Sequence, residues 1–278
     1  MPELPEVETM VRGIRPYVEG RAILSLRTRP CRCRPRAVTP GFATIARRVK
    51  GRKVDAVRRL GKRVVFALDD GRLLVVEPRM TGLLLLSAPP DRGHLRIEWR
   101  FSGRRKFDSL WFWDRRGLGT LRLYGADEFR EHLGSRRLGP DALELTAAEW
   151  RDRCAQTRRE IKVVLLDQRL AAGIGNLYAS EILHLARLDP ACPAESLRPR
   201  EIRRLHAAVQ RVLRDAIEHE GSTLSDATYR NALNRRGRYQ NSHRVYGREG
   251  LPCPSCGKAN VVRIVQAQRS TFFCPRWQ

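Results

Sequence analysis

The sequence has no run of about eighteen apolar residues, the minimum for a helix that spans a bilayer, so a helical membrane protein is excluded. It also lacks a signal-peptide pattern, because its first residues are polar and acidic instead of basic and then apolar. An intracellular protein is the default expectation. A secreted disulfide framework is missing too: the seven cysteines are odd in number and unevenly placed, with Cys31, Cys33, Cys154 and Cys192 scattered and three more near the end. Cys31-Arg-Cys33 has a one-residue gap within a Pro/Arg-rich stretch and reads as incidental. Cys154 falls in a helical pattern and reads as a small buried hydrophobe.

The scarcest commodity is negative charge. Thirty Asp and Glu stand against 54 Lys and Arg, a formal charge of +24. An excess of that size favours a polyanionic partner, and most of the cations are arginines, which grip phosphates with two parallel hydrogen bonds. A coding bias toward arginine would raise the same count without function. The 278 residues suffice for two domains and a small module, and a hydrophobic content of 42% supports a proper core.

The first nine residues, Met1-Pro-Glu-Leu-Pro-Glu-Val-Glu-Thr9, allow two readings. Removal of Met1 would expose the secondary amine of Pro2, followed by the carboxylates Glu3 and Glu6. An α-amino group has a pKa near 8, against about 10.4 for lysine, so roughly a tenth is free amine at neutral pH. Its condensation with an aldehyde carbon gives a cationic iminium, an electron sink suited to imine catalysis. Alternatively, Pro5 suits the first turn of a helix, Glu6 and Glu8 complement the helix dipole, and Val7, Met10 (or Val11) and Ile14 form an apolar stripe.

Residues 22–125 read mainly as short, partly alternating strands, including 63–68, 72–76, 83–86, 95–99, 109–113 and 121–123, punctuated by Asp70-Gly71 and Ser102-Gly103. This spacing suggests a β-sandwich or barrel, with Trp99, Trp111 and Trp113 in its core. From about 127 the pattern turns helical. Thr146-Ala-Ala-Glu149 is a capping-box signature, and 176–188 and 199–220 are further helical runs. Gly173-Ile-Gly175 precedes a helix; it is either a backbone phosphate site or a plain helix–helix turn. Residues 221–243 are polar and basic and read as a long mobile loop. The last residues carry Cys253-Pro-Ser-Cys256 and, after seventeen intervening residues, Cys274-Pro-Arg-Trp277. Two Cys-x-x-Cys knuckles would signal a zinc ribbon, but Trp277 stands where the fourth thiol belongs, and an indole N–H is no substitute.

In order along the chain, these features resemble the formamidopyrimidine-DNA glycosylases of the Fpg/Nei family. The resemblance rests on Pro2-Glu-Leu-Pro-Glu-Val-Glu-Thr9, Met80-Thr-Gly82, Asp114-x-Arg116-x-Leu118-Gly119, Lys162 with its Ile-Lys-x-x-Leu-Leu-Asp context, Gly173-Ile-Gly-Asn-Leu-Tyr-Ala179, Val245-Tyr-Gly-Arg248 and Gln268-Arg-Ser-Thr-Phe-Phe-Cys274. The Leu-Pro-Glu-Val form looks like the purine-lesion branch. The resemblance implies an α+β multidomain fold: an N-terminal β-sandwich with an N-terminal helix (1–126), a helix-two-turn-helix domain with a lesion-recognition loop (127–236), and a C-terminal, degenerate zinc-finger β-hairpin (237–278).

It further implies a base-excision repair enzyme, a DNA glycosylase with AP lyase activity, acting on duplex DNA with oxidised purines or abasic sites. Pro2 would be the nucleophile and Glu3 the acid/base, with Glu6 in support. Lys62 would aid elimination, and Arg269 would clamp phosphates and serve the second elimination. Met80, Arg116 and Leu118 would fill the gap left by the flipped base, while Lys162, Asn176 and Arg269 would hold the kinked backbone. His94 falls near a family DNA-contacting histidine, beside an insertion around 100–107. The metal positions are Cys253, Cys256 and Cys274, with weakened or absent zinc expected because of Trp277. His243 is the nearest further candidate along the chain. Two other departures are Leu118 for a phenylalanine and Glu77-Pro-Arg79 for His-Leu-Gly. A monomer, cytoplasmic and associated with the nucleoid through DNA, is expected. A Nei-like enzyme for oxidised pyrimidines and a non-catalytic binder of damaged DNA are the alternatives.

Overall fold

A computed structural model describes residues 2–29 and 37–278; Met1, Cys31 and Cys33 lie outside the described residues. The chain divides into two compact units. One runs to Gly134 and also takes in His219–Gln240; the other comprises Ser135–Glu218 and Asn241–Gln278.

The first unit opens with α1 (Leu4–Val18). Proline in the first turn loses no hydrogen bond, and the Glu3 N–H donates to the Glu6 carboxylate (2.9 Å), satisfying one of the four amides a helix start leaves open. Val7, Met10, Val11, Ile14 and Val18 are fully buried, the stripe expected from the spacing. Among the described residues nine strands form two sheets: β1 (Ile23–Thr28), β2 (Ala37–Thr39), β3 (Val54–Leu60), β4 (Arg63–Leu68), β5 (Leu73–Glu77), β6 (Gly82–Leu85), β7 (Leu95–Phe101), β8 (Ser109–Asp114) and β9 (Thr120–Tyr124). One sheet has the order β1-β7-β8-β6, all antiparallel. The other runs β2-β9-β5-β4-β3, with β2 parallel to β9.

Both sheets and α1 contribute to one hydrophobic core, as in a sandwich. Trp99 and Trp113 lie in it, but Trp111 does not. Leu110 and Phe112 on either side of it are buried while Trp111 itself is half-buried; Trp113, of the same strand parity, is buried with its indole N–H donating to the Asp91 carbonyl (3.1 Å). Helix α2 (Phe42–Val49) interrupts a region that reads mainly as strands; it buries only Ile45 and Val49, and its arginines mask the period. Helix α3 (Ala126–Leu133) sets Phe129 edge-on to Tyr124.

The second unit holds α4 (Ala147–Cys154), α5 (Ile161–Leu166), α6 (Asn176–Ala186), α7 (Pro199–Glu218) and the hairpin β10 (Val262–Gln266) and β11 (Arg269–Phe273). The capping box forms as the sequence predicts: Glu149 N–H donates to Thr146 Oγ1 (3.2 Å) and Thr146 N–H to the Glu149 carboxylate (2.8 Å). Trp150 and Cys154 are buried behind it, and burial pushes the Cys154 thiol up to about 11. The 20-residue α7 buries Ile202, Leu205, Val209, Val212 and Leu213 along one face and leaves its arginines outside. Among the described residues no helix is long and apolar enough to cross a membrane.

Candidate active site and nucleic-acid interface

Pro2 and Glu3 sit at the buried head of α1. Glu6 fixes that head from within. Its Oε2 accepts the Glu3 N–H, and its Oε1 accepts the Ser222 N–H (2.8 Å) from the polar segment after α7. The Tyr229 hydroxyl donates to the Glu6 carbonyl (3.4 Å), and burial, with the nearby Glu6 charge, raises its pKa well above the ordinary value. Gly221 is required here, since its φ is +79° and a Cβ would stand 2.8 Å from Glu6 Oε1.

The residues of His219–Gln240 have few regular elements, yet they do not read as a mobile loop in the structure. Ser222, Thr223, Tyr229, Asn231 and Ala232 are buried, and the Thr223 hydroxyl donates to the Tyr229 carbonyl (2.8 Å) while accepting the Gly237 N–H (2.9 Å).

Lys62 is half-buried at the β3–β4 turn, beside Gly61 at φ +55°. Its position is set from α1. Glu8 binds Arg59 of β3 (2.9 Å) and Arg12 (2.8 Å), and Arg59 reaches on to the Gly61 carbonyl (3.4 Å). Burial alone would raise the Glu8 pKa; the Arg12 and Arg59 guanidiniums outweigh it and hold the carboxyl below its ordinary range.

A second cluster is built around Asp114, fully buried at the end of β8. Its Oδ1 accepts the Thr81 hydroxyl and the Arg116 N–H (3.2 Å), its Oδ2 accepts the Gly119 N–H (2.8 Å), and Thr81 Oγ1 accepts the Arg116 N–H as well (3.0 Å). The buried Arg96 donates to the Asp114 carbonyl (2.7 Å). Gly119 has no room for a Cβ, which would overlap the Phe112 ring. This frame presents Met80 (37% exposed), exposed Arg116 and half-buried Leu118. Glu77, unexpected before Met80, pairs with Arg63 and Arg79 (3.4 Å each). His94 holds Asp91 through both its N–H (3.0 Å) and Nδ1 (2.8 Å) and sets its ring edge-on to Trp113.

In the second unit, Lys162 on α5 is fully buried. Its Nζ donates to Asn176 Oδ1 (2.9 Å) and Thr271 Oγ1 (3.1 Å), and Asn176 Nδ2 donates to the Ser270 carbonyl (2.8 Å). Two predicted residues therefore meet: Lys162 and Asn176 fasten the base of α6 to Thr271 and Ser270 of the strand that begins with exposed Arg269. The turn before Arg269 has Ala267 and Gln268 both left-handed (φ +46° and +61°), as a two-residue hairpin turn requires. Gln168, not singled out in the sequence, ties the glycine turn ahead of α6. Its Nε2 donates to the Leu166 and Ile174 carbonyls, and its Oε1 accepts the Gly173 N–H (3.0 Å).

The thiols of Cys253, Cys256 and Cys274 lie within 4.8 Å of one another, and the sulfurs of Cys256 and Cys274 are 3.6 Å apart. The Lys258 amide lowers the Cys256 thiol to about 7. Three convergent sulfurs, one already inclined to ionise, are a donor set suited to zinc. Trp277 is engaged elsewhere: its Nε1–H donates to the His184 carbonyl (3.1 Å), and the Arg187 guanidinium lies 3.9 Å over its ring. His243 is not part of the thiol cluster; it sets its ring edge-on to Tyr246. The histidine that reaches one of these thiols is His184 of α6, fully buried, with Nε2 3.4 Å from Cys253 Sγ. Burial pushes its imidazole down to about 4. One turn earlier, Glu181 accepts the N–H groups of Arg244, Val245 and Tyr246 (2.8–3.0 Å). Burial raises its carboxyl above the ordinary range despite those donors.

Comparison with known proteins covers the whole chain. Three family models match: the formamidopyrimidine-DNA glycosylase N-terminal domain over residues 1–121, the formamidopyrimidine-DNA glycosylase H2TH domain over 138–228, and the zinc finger found in FPG and IleRS over 250–276. The formamidopyrimidine-DNA glycosylase of Thermus thermophilus is 44% identical over 281 residues, covering 100% of this chain and 98% of its own. That of Chloroflexus aurantiacus is 38% identical over 291 residues, covering 100% and 98%. The crystal structure of the MutM (Fpg) protein of Thermus thermophilus superposes with a TM-score of 0.85 at 42% identity, over 100% of this chain and 98% of that one. A Lactococcus lactis Fpg mutant in complex with Fapy-dG-containing DNA gives 0.87 at 31%, over 100% and 99%.

Proposed function

The chain belongs to the formamidopyrimidine-DNA glycosylase family, and from that premise we propose that it is a base-excision repair glycosylase and AP lyase which removes oxidised purines from duplex DNA. The carrying observation is the head of α1. There Pro2 and Glu3 are held by a carboxylate, Glu6, whose two oxygens are both committed to backbone amides.

In the proposed reaction, loss of Met1 frees the Pro2 nitrogen, which attacks C1′ of the damaged nucleoside. The C1′–N bond breaks, and the base leaves with its electron pair and a proton. Glu3 protonates the sugar ring oxygen, the ring opens, and the Pro2 nitrogen becomes a C1′ iminium. That cation acidifies the C2′ proton. Its removal expels the 3′ phosphate, a second elimination expels the 5′ phosphate, and water releases the unsaturated aldehyde from Pro2. Lys62, fixed through Glu8 and Arg59, serves the eliminations. Glu6 is a positioning residue.

Met80, Arg116 and Leu118, carried on the Asp114 frame, fill the gap left by the extruded base. Leu118 has apolar bulk but no ring, and base–aromatic stacking is worth about 1–3 kcal/mol, so opposite-base discrimination shifts accordingly. Arg269 and Asn176 hold the backbone, and Lys162 acts through Asn176 and Thr271, which engage its ammonium. His94 contributes a further contact beside Asp91. The functional division is 1–126, 127–236 and 237–278. The enzyme works as a cytoplasmic monomer on the nucleoid.

The three thiols fit zinc, and Trp277 is not a ligand, because its indole hydrogen is spent on a carbonyl. Zinc, when bound, supplies no chemistry to the substrate and crosslinks the segments that flank the Arg269 hairpin.

Borohydride trapping on abasic duplex DNA tests the reading. Protein whose intact mass confirms a Pro2 terminus should give a covalent adduct and excise 8-oxoguanine. No adduct from such protein would refute it. Preferential excision of oxidised pyrimidines would assign it to the Nei-like branch.

A further inference from the structure

The finger's own residues supply three thiols, and the fold brings a further donor to one of them, Cys253, from a helix outside the finger. We propose that His184 on α6 completes a Cys3His zinc site with Cys253, Cys256 and Cys274. The inference rests on the reading of the finger as a zinc site.

Distance is the first argument. For Zn–S and Zn–N bonds of about 2.3 and 2.0–2.1 Å at a tetrahedral angle, a nitrogen and a sulfur sharing one ion stand about 3.5 Å apart, and two sulfurs about 3.8 Å. His184 Nε2 lies 3.4 Å from Cys253 Sγ, and the Cys256 and Cys274 sulfurs lie 3.6 Å apart. Each separation matches a pair of ligands on one ion, with His184 outside the group whose ligand atoms all lie within 4.8 Å of one another. Nε2 meets one thiol of the three in this geometry, and coordination would carry the ring onto the point the sulfurs share.

Burial is the second argument. The His184 ring is fully buried, its Nδ1 has no hydrogen-bond partner among the described residues, and the Cys253 thiol is the neighbour its Nε2 has at hydrogen-bond distance. A core position that asked only for bulk would be served better by an apolar ring, because a buried unsatisfied nitrogen costs about 1–3 kcal/mol.

The third argument is what surrounds the pair. Trp277, in the place of the absent fourth thiol, donates to the carbonyl of His184 itself, and its ring leans on the imidazole at 6.2 Å and 34°. The residue that vacated the ligand position thus braces its replacement. Glu181, three residues earlier on α6, binds three successive amides at the start of the finger module and fixes the register between helix and finger.

X-ray absorption at the zinc edge on the purified full-length protein is the decisive measurement. The expected first shell is three sulfurs and one nitrogen, with imidazole outer-shell scattering. His184→Phe should release zinc to a chromogenic chelator at least tenfold faster while keeping the wild-type circular dichroism. Adding Trp277→Cys to it should restore slow release with a four-sulfur shell. A shell of three sulfurs and an oxygen without imidazole would overturn the His184 assignment and leave the zinc reading standing. Release from His184→Phe as slow as from wild type would do the same. Full-length protein that takes up no zinc when refolded with it would overturn both.

Discussion

Substitution of Glu6 by glutamine tests the architecture of the α1 head, where the proposed nucleophile sits, directly. The Glu6 carboxylate accepts the Glu3 N–H at 2.9 Å and the Ser222 N–H at 2.8 Å, and both are buried. An amide has the same shape but only one acceptor atom, so one of those N–H groups must face an NH2. The loss is one charge-assisted hydrogen bond, and one buried donor is left unsatisfied, a cost of about 1–3 kcal/mol. At about 2–4 °C per kcal/mol for a unit of this size, the melting temperature should fall by several degrees. Glu6→Ala strands both donors and opens a cavity, so its fall should be roughly twice as large. Since the Glu3 amide adjoins Pro2, either change should also slow borohydride trapping on abasic DNA by at least tenfold, with DNA affinity unchanged. Gly221→Ala, which crowds Glu6 Oε1 from the other side, should slow trapping in the same way. Wild-type melting and trapping rates in Glu6→Gln would refute the reasoning. So would a loss confined to DNA affinity.

Lys162→Met should leave the Asn176 and Thr271 side chains short of a buried donor, destabilising the second unit by about 1–3 kcal/mol in urea titrations and weakening binding to an abasic duplex. Gly119→Ala places a methyl against the Phe112 ring and should lower stability by more than about 1 kcal/mol, while Leu118→Phe should be accepted without loss; thermal melts compare the two. Burial, aided by the Arg248 charge, holds the His243 imidazole at about 4, so the folded protein keeps it neutral while the unfolded chain protonates it near 6.5. That contribution to stability is present in full above pH 6.5 and is lost as pH falls toward 4. Urea midpoints between pH 7.5 and 4.5 should therefore fall less steeply in His243→Phe than in wild type.

Much of this was legible in the sequence because it is written locally. Alternation marked strands 63–68 and 109–113, Thr146 and Glu149 announced a helix start, and the ordered motifs carried the family. What escaped is written across distance. Glu6 and Ser222 are 216 residues apart, and His184 and Cys253 are 69 apart; neither pair leaves a local signature. Ser222 and Gly221 sit in a polar stretch that reads as loop, although burial of Tyr229 and Ala232 makes it part of the core. Trp111 shows the opposite failure, an aromatic residue that reads as core and stays half-buried. His243 is nearer the cysteines along the chain than His184, yet the helix that carries His184 is the one the finger folds against.

The frame around Asp114 separates shape from identity. Thr81, Arg116 and Gly119 reach Asp114 through a hydroxyl and two backbone amides, so the course of the 114–119 turn does not depend on which side chain stands at 118. A leucine can therefore replace a phenylalanine there while the loop keeps its path. Position 118 can therefore change its side chain without asking the scaffold to change with it.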